Sequence, residues 1–373
     1  MAATQFGRRI GAAAEEKLRR NGSMRGSLMV AASRAIAERI PLVDLIVHVT
    51  DARIPLSSQC HLLTNYPSTS IKQIIALNKM DLAGSTSLQA WMDYFRQRNC
   101  VSCGVNAHNK ENIKQFLSLI QRQVRKLRGT DHANYTATVM LIGIPNVGKS
   151  ALTNALHQVG RISAAEKGKL KHATVSPEPG ETKDIRSFKI GSHPNIYVLD
   201  TPAVLSPEVP NVDALSKLIL TGAIGDCLVE RKEIAQYFLA IHNSNEQYKK
   251  WEKLSTNDND TLFFNGTTNC LTSSGSHRKQ SKQIPTDHTQ DCIVQNVRRT
   301  LFETVSSFEG NIRCEVEMEA LIARQFIALQ EIMNVQSECE EDAHDKVAGK
   351  LLNLFRTGRL GHYIFDHLPK NIL

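Results

Sequence analysis

The chain contains no run of about 18 apolar residues, so no segment is long enough to cross a bilayer as a helix, and no stable membrane insertion is expected. Paired cysteines are also missing. The 8 cysteines are scattered, and Cys100 and Cys103 form the only C-x-x-C. A zinc centre needs a second such pair or histidines at ligand spacing. None stands out, so the thiols read as reduced and structural, which argues against secretion. Acidic residues are outnumbered: 37 Asp and Glu against 45 Lys and Arg give a net charge of +8. That balance favours a polyanionic partner. Within the first thirty residues, Arg8, Arg9, Lys17, Arg19, Arg20 and Arg25 face only Glu15 and Glu16. Such a segment is either an organellar presequence or a basic arm that touches RNA. At 373 residues with 41% hydrophobic content, the chain can build two domains with sizeable cores.

What the chain does have is two short motifs in an unusual order. Gly143-Ile-Pro-Asn-Val-Gly-Lys-Ser150 is a phosphate loop, G-x-x-x-x-G-K-S, preceded by an apolar run over 136–142 and followed by a proline-free helical stretch from Lys149 to Val159. Strand, glycine loop and helix is the context that such a loop requires. Chance supplies the pattern in roughly one or two chains in a hundred of this length, given an average glycine usage of about 7%. Backbone N–H groups from Asn146, Val147, Gly148, Lys149, Ser150 and Ala151 would line the phosphates at the positive end of the helix. Lys149 would bridge the β- and γ-phosphates, and the Ser150 hydroxyl would hold Mg²⁺. Some sixty residues earlier, Asn78-Lys79-Met80-Asp81 follows the apolar run 71–77. This is the N-K-x-D tetrad by which guanine is read: the Asp81 carboxylate accepts from N1–H and the 2-amino group, which adenine lacks. The pairing predicts GTP rather than ATP, although an ATPase or kinase on the same loop is the competing reading. Since the guanine tetrad precedes the phosphate loop, one site requires a circularly permuted domain, joined near 129–134.

Further pieces follow in order. Pro179-Gly-Glu-Thr182 offers Thr182 as a second ligand of Mg²⁺, and Ile196-Tyr-Val-Leu-Asp200 leads into Thr201-Pro202-Ala203, with Asp200 holding Mg²⁺ through water. Upstream, the 101–107 segment ends a strand, and the N–H groups of Asn106 and Ala107 would touch the guanine O6. Strands are expected at 42–49, 71–77, 99–103, 136–142, 185–190 and 196–199, alternating with helices at 33–40, 87–98 and 113–127, the pattern of an α/β, doubly wound, mostly parallel sheet. Beyond residue 222 a smaller α-helical C-terminal domain is expected, with Val316, Leu321, Phe326, Leu329 and Met333 as core positions. A polar stretch at about 255–290 reads as a disordered insertion. The expected division is thus 1–30, 31–222 and 223–373. Arg356 and Arg359 near the end would either contact RNA phosphate or cap a helix.

Guanine tetrad, O6 loop, phosphate loop, threonine and D-T-P, in that order, resemble the circularly permuted GTPases of the RbgA/YlqF type. Asp51-Ala-Arg-Ile-Pro55, by itself a strand-end turn, is similar to the D-A-R-x-P signature of the plant-type mitochondrial DAR GTPases in that group, and Phe355-Arg-Thr-Gly-Arg-Leu-Gly361 matches near the end. The resemblance implies a P-loop GTPase fold, GTP hydrolysis, and assistance to assembly of the large ribosomal subunit through its rRNA. It further implies a monomer in the mitochondrial matrix or on the matrix face of the inner membrane, with the chloroplast as alternative. Catalysis would rest on Lys149, Thr182 and Asn146, the last helping to hold K⁺; the competing reading makes Asn146 a turn residue. Two departures bear on mechanism. Ala203 replaces the usual glycine of D-T-P-G, keeping an N–H for the γ-phosphate but not the freedom of φ. Val204 occupies the position of a water-orienting glutamine, so a non-catalytic, nucleotide-gated RNA-binding scaffold is the alternative function. The W-F-P-G-H-M stretch of relatives is reduced to Gly26-Ser-Leu-Met29.

Overall fold

The computed structural model describes residues 2–20, 24–63, 72–128, 135–163, 173, 184–192, 194–205, 211–255, 292–336 and 339–369. The expected join at 129–134, Thr182 with its Pro-Gly-Glu, and the expected insertion up to residue 290 lie outside these residues, apart from Ser255. Six strands form one sheet: β1 (Leu45–Asp51), β2 (Gln73–Asn78), β3 (Val101–Gly104), β4 (Thr136–Ile142), β5 (Arg186–Ser192) and β6 (Asn195–Asp200), in the order β3-β2-β1-β4-β6-β5. All neighbours run parallel except β5, which is antiparallel on β6. The apolar runs have their cause here: a parallel strand covered on both faces buries every side chain, and all of β1 is buried. β1 begins later than its apolar run because Ile40–Leu42, with a proline in its first positions, winds into a 3₁₀ turn.

From β1 the chain steps outward to β2 and β3. It returns through α4 (Lys110–Arg128) to β4 beside β1, then departs the other way to β6 and β5. The crevice between β1 and β4 is therefore a topological switch point, where open α/β sheets bind ligands. Helices α1 (Ala2–Arg20), α2 (Met24–Arg39), α3 (Ser85–Gln97), α5 (Lys149–Ser163), α6 (Val212–Leu220), α7 (Arg231–Ser244) and the short α8 (Glu252–Ser255) join α4 around the sheet, followed by α9 (Cys292–Ser306), α10 (Glu315–Ile332) and α11 (Glu340–Arg356).

Two expectations need correction. The basic N-terminal segment is a helix of the core: Ala2, Phe6, Ile10 and Ala14, four apart, are buried in the same apolar cluster as α6, α7 and α10. Gly11 makes this approach feasible, since a Cβ there would lie 2.2 Å from the Val212 carbonyl oxygen of α6. The arginines belong to the outer face, where Arg9 pairs with Glu319 at 2.9 Å and Arg19 and Arg20 pair with Glu15 and Glu16. Charge alone hid this packing stripe. In α10, Leu321, Phe326 and Leu329 are buried as expected and Met333 follows just beyond, but Val316 is 72% exposed. The buried stripe runs through Met318, Leu321, Ile322, Gln325, Phe326 and Leu329, which turns Val316 to the opposite side. One apolar cluster extends from Ala2 through the sheet to Phe365, so the division expected at residue 222 runs through shared packing.

Candidate nucleotide site

The phosphate loop leaves the carboxyl end of β4 and enters α5 at Lys149. Asn146 (φ 54°) and Gly148 (φ 94°) both take left-handed backbone. A Cβ at Gly148 would lie 2.3 Å from Asn78 Nδ2, so glycine is required twice over, by conformation and by space. The buried Lys149 ammonium arches back over the loop, donating to the carbonyls of Gly143 and Ile144 at 2.9 Å each. Burial pushes it down to about 8, against the pull of Asp200 and Cys60. The triphosphate would restore its charge, so nucleotide binding is expected to take up a proton: affinity is full below about pH 8 and falls as pH rises above it, by up to about tenfold per unit. Calorimetric titrations at about pH 8.5 in buffers of different ionisation enthalpy will give different heats; identical heats would refute the linkage.

At the end of β6, the Ser150 hydroxyl donates to Asp200 Oδ2 at 2.8 Å. Asp200 Oδ1 is buried with no hydrogen-bond partner among the described residues. Burial raises this carboxyl above its ordinary range, with the Ser150 bond and Lys149 opposing. Two hard oxygens, one of them orphaned, suit Mg²⁺. Ala151 lies in the first turn of α5. Ala203 does not take positive φ, so it occupies its loop without the strain a missing glycine would threaten. Thr201 Oγ1 anchors that loop by donating to the Leu141 carbonyl at 2.6 Å. Val204 is buried against Ile36, Ile40, Ile46, Cys60, Met140 and Ile142, so it does not orient a water molecule.

The guanine tetrad meets the phosphate loop directly. Asn78 ends β2, and its Nδ2 donates to the Val147 carbonyl at 2.7 Å, which makes the two motifs one site. Lys79 adopts left-handed backbone, Met80 N–H donates to the Val105 carbonyl at 3.1 Å, and Asp81 sits exposed in the 3₁₀ turn Met80–Leu82. In the neighbouring loop, the Asn106 N–H already donates to Asn112 Oδ1 at 2.8 Å. That corrects the expectation for Asn106 and leaves Ala107 as the remaining candidate for the O6 contact.

Asp51 has a role that reading the motif as a turn did not reveal. It is 1% exposed and accepts from Arg53 Nε at 3.0 Å and from Arg53 Nη2 at 2.7 Å, while Lys79 Nζ lies 3.1 Å away. Burial alone would raise the Asp51 carboxyl, but the charges of Arg53 and Lys79 and the Arg53 hydrogen bonds hold it well below the usual carboxylate range. The signature thus clamps the tetrad lysine. Arg53 also donates to the Thr221 carbonyl at 3.1 Å, just past α6. Adjacent carbonyls in that turn take other donors: Asn146 Nδ2 bonds Gly222 O at 2.9 Å, and Arg356 from α11 bonds Leu220 O at 3.1 Å and Ile219 O at 2.9 Å. Arg356 also forms a two-point bridge to Asp226, at 2.8 and 2.7 Å. Its donors face inward onto the last carbonyls of α6, which favours the helix-capping reading of Arg356 over the RNA contact. The C-terminal tail closes the same region, with Phe365 N–H donating to Arg53 O at 2.8 Å, Tyr363 N–H to Leu82 O at 3.1 Å, and Asp366 accepting from the N–H groups of Leu56 and Ser57. No local pattern flags Asn112, Thr221 or Asp366, because their partners lie far away in the chain.

The family described as 50S ribosome-binding GTPase matches residues 138–260, beginning at the phosphate-loop strand. "DAR GTPase 2, mitochondrial" of Arabidopsis thaliana is 52% identical over 354 residues, covering 94% of this chain and 93% of its own. The chain belongs to the circularly permuted GTPases of the RbgA/YlqF type. As a member of that group, this DAR GTPase is a GTP-hydrolysing enzyme. "Ribosome biogenesis GTPase A" of Priestia megaterium is 30% identical over 285 residues, covering 72% of this chain and 90% of its own. A GDP-bound YlqF structure superposes with a TM-score of 0.50 at 16% identity, covering 89% of this chain and 98% of that one, and so shares the permuted fold.

Proposed function

We propose that this GTPase assists assembly of the large ribosomal subunit in mitochondria, binding as a monomer to the particle and its rRNA. The observation that carries the nucleotide half is the Asn78–Val147 bond, which ties the guanine tetrad to the phosphate loop. The assembly half is supported by relatives named ribosome biogenesis GTPase A, and the location by a relative named mitochondrial. Among the described residues no helix is long and apolar enough to cross a membrane.

In this reading Asp81 selects guanine, the Ala107 N–H meets O6, and the loop N–H groups with Lys149 hold the phosphates. Ser150, Asp200 and Thr182 would hold Mg²⁺, which would supply positive charge to the phosphates. Because Val204 is buried, the position after Ala203 supplies no side chain to orient the attacking water. Hydrolysis by the isolated protein is therefore slow. Asn146 would help hold a monovalent cation, K⁺, which would supply the missing positive charge, and contact with the ribosomal particle would accelerate turnover through Thr182. Asn146 Oδ1 is the atom for that role, since its Nδ2 is committed to Gly222.

The test compares GTP with ATP, K⁺ with Na⁺, and presence with absence of large ribosomal subunits. GTP-selective binding with turnover stimulated by K⁺ and by subunits is the expected result. Equal rates in the two salts would remove K⁺ from the mechanism. Selective binding without turnover under any condition would replace the assembly enzyme by the nucleotide-gated scaffold, which the buried Val204 favours. Import into isolated mitochondria against chloroplasts decides the compartment.

A further inference from the structure

The net charge of +8 is unevenly distributed. In α4, Lys110, Lys114, Arg122, Arg125, Lys126 and Arg128 are set against a single acid, Glu111. Residues 292–369, which include the candidate RNA contacts Arg356 and Arg359, carry twelve acidic and eight basic residues and are net acidic. The helix is also strictly two-faced. Ile113, Phe116, Leu117, Ile120 and Val124 are buried in the core, whereas Lys110, Lys114, Arg122, Arg125 and Lys126 are all exposed. At 100° per residue those exposed cations fall within one arc of about 160°, which meets the buried stripe at Lys110 and turns away from it towards Arg122 and Lys126, along a helix of roughly 28 Å. Between them lie the uncharged donors Gln115 and Ser118 and the one carboxylate, Glu111.

We propose that this exposed face of α4 is an RNA-binding surface that tracks the phosphate backbone of ribosomal RNA. The inference rests on the assembly reading above and assigns its RNA contact to the G domain instead of the C-terminal helices. Long-range phosphate attraction needs a dense, one-signed stripe; α4 carries six cations to one acid, whereas α1 sets five cations beside two acids, Glu15 and Glu16. Within α4 only one acid is present to relieve the charge, Glu111, which bridges Lys114 at 3.0 Å. An anionic lipid surface is the less suitable occupant. A membrane-bound amphipathic helix buries its apolar face in lipid, and here that face is already buried against the sheet and α5.

The experiment uses the full chain with the triple substitution Arg122→Gln, Arg125→Gln and Lys126→Gln. Glutamine keeps helix propensity close to that of arginine and lysine. Binding to deproteinised large-subunit rRNA is measured by filter retention between about 50 and 200 mM KCl. The wild type is expected to bind with a steep salt dependence. The variant should lose roughly tenfold or more at 150 mM KCl, and its log–log slope should fall by about two to three, since each lost phosphate contact removes about 0.7–0.9. GTP binding should be unchanged, which certifies the fold; Lys110→Gln with Arg122→Gln is the second variant should the triple not fold. Arg313→Gln with Arg324→Gln, in the turn before α10 and on α10 itself, should leave both readouts unchanged. Wild-type binding with an unaltered slope in the α4 variants overturns this assignment and leaves the assembly reading standing. Absence of rRNA and subunit binding by the wild type sinks both. Retained rRNA binding with loss of binding to phosphatidylglycerol vesicles would make the face a lipid surface and overturn the proposal.

Discussion

Asp51→Asn is expected to destabilise the protein by about 3–5 kcal/mol, the usual cost of removing one partner from a buried ion pair. The carboxylate is 1% exposed and takes both the Arg53 guanidinium and the Lys79 ammonium. An asparagine offers one acceptor and turns two donors towards those cations, which stay buried without a counter-charge. The pH dependence fixes the sign. The Asp51 carboxyl titrates well below its ordinary value in the folded state. Its contribution is therefore complete above about pH 4, the value in the unfolded chain, and is lost as pH falls below that. Urea unfolding of the two proteins should differ most near neutrality and converge in acid. A difference under about 1 kcal/mol at pH 7 would mean that the clamp is structural decoration.

The second large effect concerns recognition of the base. Asp81→Asn is expected to weaken GTP binding by roughly two to four orders of magnitude, because two hydrogen bonds to a charged acceptor contribute about 1.5–3 kcal/mol each. The stability should barely change, since Asp81 is exposed in its turn. Xanthosine triphosphate, which carries a carbonyl in place of the 2-amino group, should bind the variant better than GTP does, as the asparagine amide can donate to it. Competition titrations with a fluorescent guanine nucleotide measure both. Less than a tenfold loss for GTP would remove Asp81 from base selection.

How much of this was legible in the sequence depends on how local each signal is. The phosphate loop and the tetrad declare themselves because turn chemistry and strand-end position are written in consecutive residues, and the strands between them followed from unbroken apolar runs. Their order alone implied the permutation, which the sheet order reproduces. Asp51 was visible as part of a signature, but its work was not: the carboxylate acts on Lys79 across two parallel strands, where Asp51 and Asn78 stand in register. Asn106 misled because a side chain six residues on, Asn112, takes the N–H that the loop pattern had reserved for the base. Arg356 stayed undecided between a helix cap and an RNA contact for the same reason at longer range, since its four acceptors lie far away in the chain, in 219–226. The first helix was misread because its arginines, conspicuous in one dimension, occupy the face that does not pack.

The packing of that first helix bears on how the protein is made. α1 is translated well before the surfaces it covers, on α6, α7 and α10, which are encoded after residue 211. At about 5–20 residues per second, its apolar stripe waits roughly 10–40 seconds for a partner. During that interval the nascent chain carries an uncovered, positively charged amphipathic helix, the kind of segment that chaperones and translocation machinery bind. Final closure of the fold is then a late event, in which an early helix seals against elements made much later.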